Sequence, residues 1–221
     1  MVGVRAGAGR LAEVNTPLVG SLDAATPSIH PQAWIAPGAV VVGSVEIGRG
    51  SSVWYGSVLR ADDDVITVGD ECNVQDLCCI HVDAGEPAVI ADRVSLGHRA
   101  TVHGAYVGPG ALIGIGAVVL GRARIGAGSL VAAGAVVLPG TVVPEGVLFA
   151  GVPGRVRRDL TDDEIEQNES RARRYVDRAL RHKEARWDGH ATEYPDGGGL
   201  GSARYPAGPV SASPVSASPA G

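Results

Sequence analysis

The 221-residue chain is 45% hydrophobic but only 4% aromatic, and 32 of its residues are glycine. A net charge of −5 leaves no basic footprint for nucleic acid or for an anionic membrane. No apolar run is long enough to span a bilayer, and the N-terminal sequence is too weakly hydrophobic for a secretory signal. Three cysteines without framework spacing argue against a disulfide scaffold and predict a reducing, cytoplasmic location.

Residues 1–29 show no clear period, and we expect them to form an extension that leads into the fold. Beyond them, aliphatic residues recur every six positions, with two insertions and one skipped residue. The series consists of Ile35, Val41, Ile47, Val53, Leu59, Val68, Val74, Ile80, Ile90, Leu96, Val102, Val107, Ile113, Val119, Ile125, Val131, Val137 and Val143. Small residues such as Ala111 and Ala117 follow four positions later, usually after a glycine that suits a tight corner.

This hexapeptide repeat predicts an all-β fold, a parallel β-helix of triangular section, over residues 30–157. Three hexads make one coil, and successive coils stack through strand hydrogen bonds at about 4.8 Å. An antiparallel sheet with a period of two would not explain why the phase holds over so many units. The repeat alone does not fix the handedness of the coil.

Residues 158–187 are predicted to form a C-terminal α-helix. Thr161 and Glu164 have the spacing of a capping box at its N-terminus. Ile165, Ala172, Val176 and Leu180 recur at helical spacing and form an apolar stripe. This stripe is expected to dock along a face of the β-helix, in this subunit or in a neighbour. Residues 188–221 are rich in Gly, Ser, Pro and Ala and are predicted to be disordered.

Two histidines occupy the same slot of the repeat. His81 directly follows the inward-facing Ile80, and His103 directly follows the inward-facing Val102. Because the two units between them fill the other faces of the coil, both imidazoles should point outward on one face, one coil apart. A separation near about 4.8 Å lets them share a metal that lies about 2.0–2.1 Å from each nitrogen.

His98 lies in a different slot, two places after Leu96, on the face that precedes the histidine pair. A rigid triangular prism does not easily bring this side chain round to the same metal. The simplest solution is a second copy, in which His98 of one subunit completes the pair of another. Three prisms about a threefold axis would form three such sites, so the repeat suggests a homotrimer.

The remaining histidines and the cysteines have simpler interpretations. The histidines expected to be solvated are His30, His182 and His190. Cys72 and Cys78 occupy the small-residue slot of their hexads and are expected to fill space. Cys79 is nearer to His81, but a three-histidine site needs no thiolate.

Three segments, SSVWYGSVLRADDD, ECNVQDLCCIHVD and VSLGHRATVHGAYVGPGALIGIGAVVL, resemble the gamma-class carbonic anhydrase family. The paired IHVD and GHxxxxH motifs are specific to it among hexapeptide-repeat proteins, and the resemblance runs from about Ser28 to Val156 and into the helix. It implies a left-handed β-helix homotrimer with a divalent metal, Zn2+ or alternatively Fe2+ or Co2+, at each of three interfaces. The implied ligands are His81 and His103 from one subunit and His98 from its neighbour.

The resemblance also assigns roles to other positions. Arg60 and Asp76 match an arginine and an aspartate that pair around the interface, although such a pair can be purely architectural. Asp62 matches a second interface acid. The residues that match polar groups beside the metal-bound water are Asn73 and Gln75, and Tyr175 matches a helix tyrosine near the active site.

The chain departs from the archetypal family member in three places. The insertion DAGEPA is shorter than the acidic loop that follows the first histidine there, and it leaves Glu86 as the substitute for a proton-shuttling glutamate. Asp63 stands where the archetype has a second glutamate, and Asp177 stands where it has an asparagine close to the substrate. The predicted metal site is complete, whereas the fast proton-transfer route is altered.

The reaction expected of such a site is the reversible hydration of CO2 to bicarbonate. Three neutral imidazoles and a water make an open catalytic zinc site, where the metal lowers the pKa of its water to about 7. The resulting hydroxide would attack CO2, with Gln75 and Asn73 orienting it. The predicted catalytic set is Gln75, Asn73, Arg60, Asp76, Tyr175 and Asp63.

Two alternatives belong to other functional classes. The same fold supports acyl transfer and thioester hydrolysis, so an acyl-CoA thioesterase or acyltransferase-like enzyme is the second hypothesis. The third is a non-catalytic trimer that binds a metal or a siderophore. In each case the expected partners are other copies of the chain and a small molecule, with no nucleic acid and no membrane.

Overall fold

The computed structural model describes residues 16–185. The predicted disordered tail, the last two residues of the predicted helix and residues 1–15 of the predicted extension lie outside the described residues. Within them the chain forms a parallel β-helix followed by one α-helix, α1 (Asp162–Lys183). No helix among these residues is long and apolar enough to cross a membrane.

The strands stack into three faces. The first face contains β1 (Leu18–Gly20), the N-terminal halves of β4 (Val40–Ile47) and β6 (Val58–Val68), β8 (Cys79–His81), β11 (Thr101–His103), β14 (Val118–Val119) and β17 (Val136–Val137). The second contains β2 (Ser28–Ile29), the C-terminal halves of β4 and β6, β9 (Ala88–Ile90), β12 (Tyr106–Val107), β15 (Arg124–Ile125) and β18 (Val142–Val143). Because β4 and β6 run across the corner between these faces, the two form one continuous 12-stranded sheet.

The third face is a separate sheet of eight strands. It contains β3 (Trp34–Ile35), β5 (Ser52–Val53), β7 (Asn73–Val74), β10 (Ser95–Leu96), β13 (Leu112–Ile113), β16 (Leu130–Val131), β19 (Val147–Gly151) and β20 (Gly154–Asp159). All its pairings are parallel except the last, where β20 folds back antiparallel on β19 and ends the stack.

The core is a column of aliphatic side chains inside the coil. The predicted inward positions are fully buried, among them Leu59, Ile80, Ile90, Leu96, Ile113 and Ile125, each 0% exposed. The corners adopt the left-handed conformation, as the glycines predicted, with φ of +66° at Gly116. Leu77 and Arg99 adopt the same conformation, each with φ of 61°. The corner conformation therefore forms at some positions that have a side chain as well as at glycines.

Two boundaries differ from the predicted ones. Residues 18–20 and 28–29, which show no period in sequence, pair with β4 as parallel strands, so part of the predicted extension belongs to the coil. The helix begins at Asp162 rather than at 158, because the preceding residues continue as β20. Its N-cap is Thr161, and the capping box with Glu164 is present as predicted.

Helix α1 packs on the third face of its own chain, but the predicted apolar stripe is partly wrong. Ala172 is fully buried, whereas Leu180 is 55% exposed. The side chains that α1 buries are Asn168, Ala172, Tyr175 and Ala179. The helix is rotated toward Tyr175 because that ring packs edge-on against Trp54 of the third face, with 5.3 Å between centroids.

A bidentate ion pair fixes the start of α1 and makes it sensitive to acid. Arg158 donates to both carboxylate oxygens of Glu164 at 2.7 and 2.8 Å, and the Thr161 N–H donates to the same group at 3.0 Å. These hydrogen bonds, those of Arg158 first, lower the pKa of Glu164 from 4.5 to about 2.

The Glu164→Gln variant is therefore expected to lose stability relative to the wild type at neutral pH but not in acid. Because the folded pKa is the lower one, the stabilisation is complete above pH 4.5 and disappears as the pH falls toward about 2. Thermal midpoints measured at steps from pH 7 downward should converge. Glu166→Gln, on the exposed side of the same turn, is the matched control, and a wild-type advantage of constant size would contradict the prediction.

Candidate metal centre

Two imidazoles meet on the first face of the coil. Strand register places His81 directly opposite His103, and Arg60 directly opposite His81 on the other side. Because the side chains of Ile80 and Val102 point into the core, those of the next residues, His81 and His103, point outward, where they are half-buried. His81 Nδ1 lies 3.1 Å from His103 Nε2, which is the stacked pair that the repeat predicts.

A carboxylate orients the first of these rings. His81 Nε2 lies 2.9 Å from Asp62 Oδ1, and the same carboxylate pairs with Arg60. Desolvation works to raise the pKa of Asp62, but its own backbone N–H, the His81 hydrogen bond and the charge of Arg60 outweigh it and hold that pKa below its ordinary value. With Nε2 bound to Asp62, Nδ1 is left with its lone pair directed toward His103.

Asp83 is a third group at this pair, and the sequence interpretation did not include it. One of its oxygens lies 3.7 Å from His103 Nε2, and the ligand atoms of His81, Asp83 and His103 all lie within 4.8 Å of one another. Its side chain is 60% exposed. The signal that could have found it is its position two residues after His81, which places both side chains on the same side of the chain.

His98 lies elsewhere, as predicted. It follows β10 of the third face, half-buried, and its Nδ1 lies 2.8 Å from Asp76 Oδ2. That bond leaves Nε2 as the nitrogen available to a metal. Among the described residues His98 does not join the cluster of His81 and His103. One chain thus brings together two of the three predicted ligands.

Of the predicted polar residues near His98, two line a cavity and the third supports one of them by a hydrogen bond. Gln75 and Tyr175 line a cavity of about 480 Å³ together with His98. Asn73 is fully buried; it donates to Ser95 Oγ at 2.8 Å and accepts from Gln75 Nε2 at 2.9 Å. Its amide therefore fixes Gln75 and does not itself face the cavity. Burial, reinforced by the charge of Asp76, raises the pKa of Tyr175 although Arg178 opposes it.

The other predicted residues do not line this cavity, although Asp76 contacts His98 at its wall. Within one chain Arg60 pairs with Asp62, and Asp76 pairs with His98. Asp63 lines a separate surface depression, and Asp177 is exposed on α1. The carboxylate of Glu86 lies 3.3 Å from Arg122 Nε.

The prediction that His182 is a solvated side chain was wrong. Its Nδ1 lies 2.8 Å from the Tyr55 hydroxyl, and its ring packs 4.8 Å from that of Trp54, because α1 lies on the aromatic residues of the third face. His30 is exposed, and His190 lies outside the described residues. Cys72 and Cys78 are buried, with burial raising the pKa of each thiol to about 12, whereas Cys79 is exposed.

These residues fit a divalent cation. Two nitrogens that each lie 2.0–2.1 Å from a tetrahedral zinc ion are about 3.3 Å apart, close to the 3.1 Å between His81 Nδ1 and His103 Nε2. Carboxylates bind the opposite nitrogens of His81 and His98, which is the usual arrangement around metal-binding imidazoles.

The chain is similar in sequence to proteins named as carbonic anhydrases. It is 52% identical over 142 residues to a Methanocaldococcus jannaschii protein named "Probable carbonic anhydrase", covering 64% of this chain and 89% of that protein. It is 40% identical over 162 residues to gamma carbonic anhydrase 1, mitochondrial, of Arabidopsis thaliana, covering 71% of this chain and 59% of the plant protein.

The fold is that of hexapeptide-repeat proteins. The family described as bacterial transferase hexapeptide (six repeats) matches residues 26–61 and 104–139. The crystal structure of a hexapeptide transferase family protein from Anaplasma phagocytophilum has a TM-score of 0.72 at 35% identity and covers 74% of this chain and 96% of that one. The predicted left-handed β-helix with a C-terminal α-helix is confirmed. The chain therefore belongs to the gamma carbonic anhydrase family and is a gamma carbonic anhydrase-like enzyme.

Proposed function

We propose that the protein catalyses the reversible hydration of CO2 to bicarbonate at a divalent metal shared between subunits of a homotrimer. His81 and His103 of one subunit and His98 of the next would hold the metal. The observation that carries the proposal is the pair of imidazole nitrogens 3.1 Å apart on one face, with a third carboxylate-bound histidine on another. The two relatives described above, both named as carbonic anhydrases, support it.

A second subunit is needed because the three histidines do not all lie on the same face of the coil. An open catalytic zinc site uses three protein ligands and leaves one position for water. His98 follows a strand of the third face, whereas the other two histidines end strands of the first. A threefold arrangement that brings the third face of one prism to the first face of the next would complete three equal sites.

Bound there, a divalent cation supplies Lewis acidity that lowers the pKa of a coordinated water to about 7. The residues of the chain orient the metal-binding histidines and the nucleophile. Asp62 and Asp76 hold His81 and His98 in the tautomers that leave one nitrogen unprotonated. Gln75, fixed by Asn73, presents an amide to the cavity beside His98, where it can orient the nucleophile.

The proton has a short route to solvent through Asp83. Its Oδ1 lies 3.7 Å from His103 Nε2 and its side chain is largely exposed, so this oxygen can accept a proton and release it to buffer. Glu86, the predicted substitute, is held by Arg122 and is less suited to the role. Tyr175, whose pKa is raised, stays protonated at neutral pH and acts as a hydrogen-bond donor.

Metal analysis coupled to a CO2 hydration assay tests the proposal. Protein purified anaerobically and loaded with Zn2+, Fe2+ or Co2+ is expected to hold about one ion per chain and to hydrate CO2 with at least one of them. Chelation should abolish the activity and reloading should restore it. Full occupancy without hydration would instead favour the non-catalytic metal- or siderophore-binding trimer.

The likeness to a hexapeptide transferase family protein favours a second candidate, an acyl-CoA thioesterase or acyltransferase-like activity. A screen of coenzyme A thioesters with the same metal-loaded protein separates the two. Thioester cleavage that persists while CO2 hydration is absent would replace the first proposal with the second.

A further inference from the structure

Three arginines of α1 line the cavity that contains His98. Arg171, Arg174 and Arg178 follow one another at helical spacing and project toward the same side. The cavity measures about 480 Å³ and lies between this helix and the third face of the coil. Its positive wall has no part in the hydration chemistry proposed above.

Neutral groups hold each of these side chains. Arg171 donates to the amide oxygen of Asn168 at 3.1 Å, and Arg174 donates to the Ser170 hydroxyl. Since a guanidinium carries five N–H donors, one tether leaves most of them unused.

Arg178 is held differently, with its guanidinium carbon 5.0 Å from the centroid of the Tyr175 ring. Within residues 16–185 no acid forms an ion pair with Arg171, Arg174 or Arg178, whereas the adjacent Arg173 pairs with Glu169 at 3.8 Å. The charges are therefore uncompensated at one wall. Burial, and next the charge of Arg174, lower the pKa of Arg171, as expected when like charges share a cavity.

Apart from Gln75 and His98, the opposite wall is apolar. It is built from side chains of the third face and its corners, Leu112, Leu130 and Ile115. A water molecule takes about 30 Å³ of liquid volume, so bicarbonate would fill only a small part of this space. The volume lies in the range of about 300–1,000 Å³ that is typical of small-molecule sites, which combine apolar walls with a few polar groups.

We propose that this cavity binds an organic anion with a carboxylate or phosphate head and an apolar body of several carbon atoms. The head lies on the guanidinium groups of α1, and the body lies on Leu112, Leu130 and Ile115. This inference goes beyond CO2 hydration, and the cavity shares His98, Gln75 and Tyr175 with the proposed hydration site.

Calorimetric titration of the metal-loaded protein with hexanoate and with hexyl phosphate tests the proposal. At least one of them is expected to bind at least about tenfold more tightly than bicarbonate, inorganic phosphate or hexanol, since each comparison removes either the apolar body or the charge. The preference between the two identifies the head group.

Variants locate the site. Arg174→Gln and Arg178→Gln are each expected to weaken binding of the preferred anion by about tenfold or more, the ratio that the loss of a charge-assisted hydrogen bond produces. Arg173→Gln, on the same helix but paired with Glu169, is the matched control and should bind as the wild type does.

Equal affinity for inorganic phosphate and the alkyl anions, or equal losses in Arg173→Gln and Arg174→Gln, would overturn the inference. Its failure differs from failure of the proposed function. Hexanoate binding without CO2 hydration would contradict hydration alone, and hydration without binding of either alkyl anion would contradict the anion site alone.

Discussion

Purified His98→Ala protein is expected to have no CO2 hydration activity, and mixing it with His81→Ala protein is expected to restore part of it. Each variant lacks one half of a shared site, so neither can hold a metal with three imidazoles. When the two are refolded together in equal amounts, an intact pair meets an intact His98 at random in about one quarter of the interfaces of a cyclic trimer. Stopped-flow hydration and metal content of the mixture measure this fraction.

A mixture of His81→Ala with His103→Ala is the matched control. Neither chain then has an intact pair, and no activity should return. If Asp83 completed the site within one chain, as its place in the His81 and His103 cluster permits, the His98→Ala protein would keep its metal and its activity. That outcome, or a mixture that stays inactive, would contradict a site shared between subunits.

The Asp62→Asn variant is expected to bind its metal about 10–100-fold more weakly, the usual effect of removing a carboxylate behind a metal-binding imidazole. An asparagine oxygen can still accept the hydrogen bond of His81 Nε2, but it carries no charge to make the other nitrogen a stronger ligand. Competition with a chelator of known affinity measures the change.

Asp70→Asn controls for the loss of a charge. Asp70 pairs with Arg49 at 3.4 Å, as Asp62 pairs with Arg60, but it contacts no histidine among the described residues. This variant should keep the wild-type metal affinity. Equal losses in both variants would show that net charge, rather than the orientation of His81, determines the affinity.

The sequence was sufficient for the main-chain features because the hexad period states directly which side chains face inward. The same period places His81 opposite His103, since register is fixed by the buried Ile80 and Val102. It also separates His98 from the pair, because one coil has three faces.

The remaining features depend on contacts that no period encodes. Asp62 reaches His81 from a neighbouring strand, and Asp83 reaches His103 from the turn after β8. The contacts of His182 depend on how α1 rotates on Trp54, which its own apolar residues did not reveal. An antiparallel strand also replaced the first residues of the predicted helix, since β20 pairs with the last exposed edge of the third face.

The insertion between His81 and His103 shows that the loop between them can vary in length without changing their register. Positions one coil apart, such as Val119 and Val137, are 18 residues apart, yet His81 and His103 are 22 apart and still in register. The additional residues leave the coil at a corner as a short turn closed by the bridge between Asp83 and Glu86. Loop length at this corner is thus decoupled from ligand spacing, so a longer acidic loop can be grafted there without moving either imidazole.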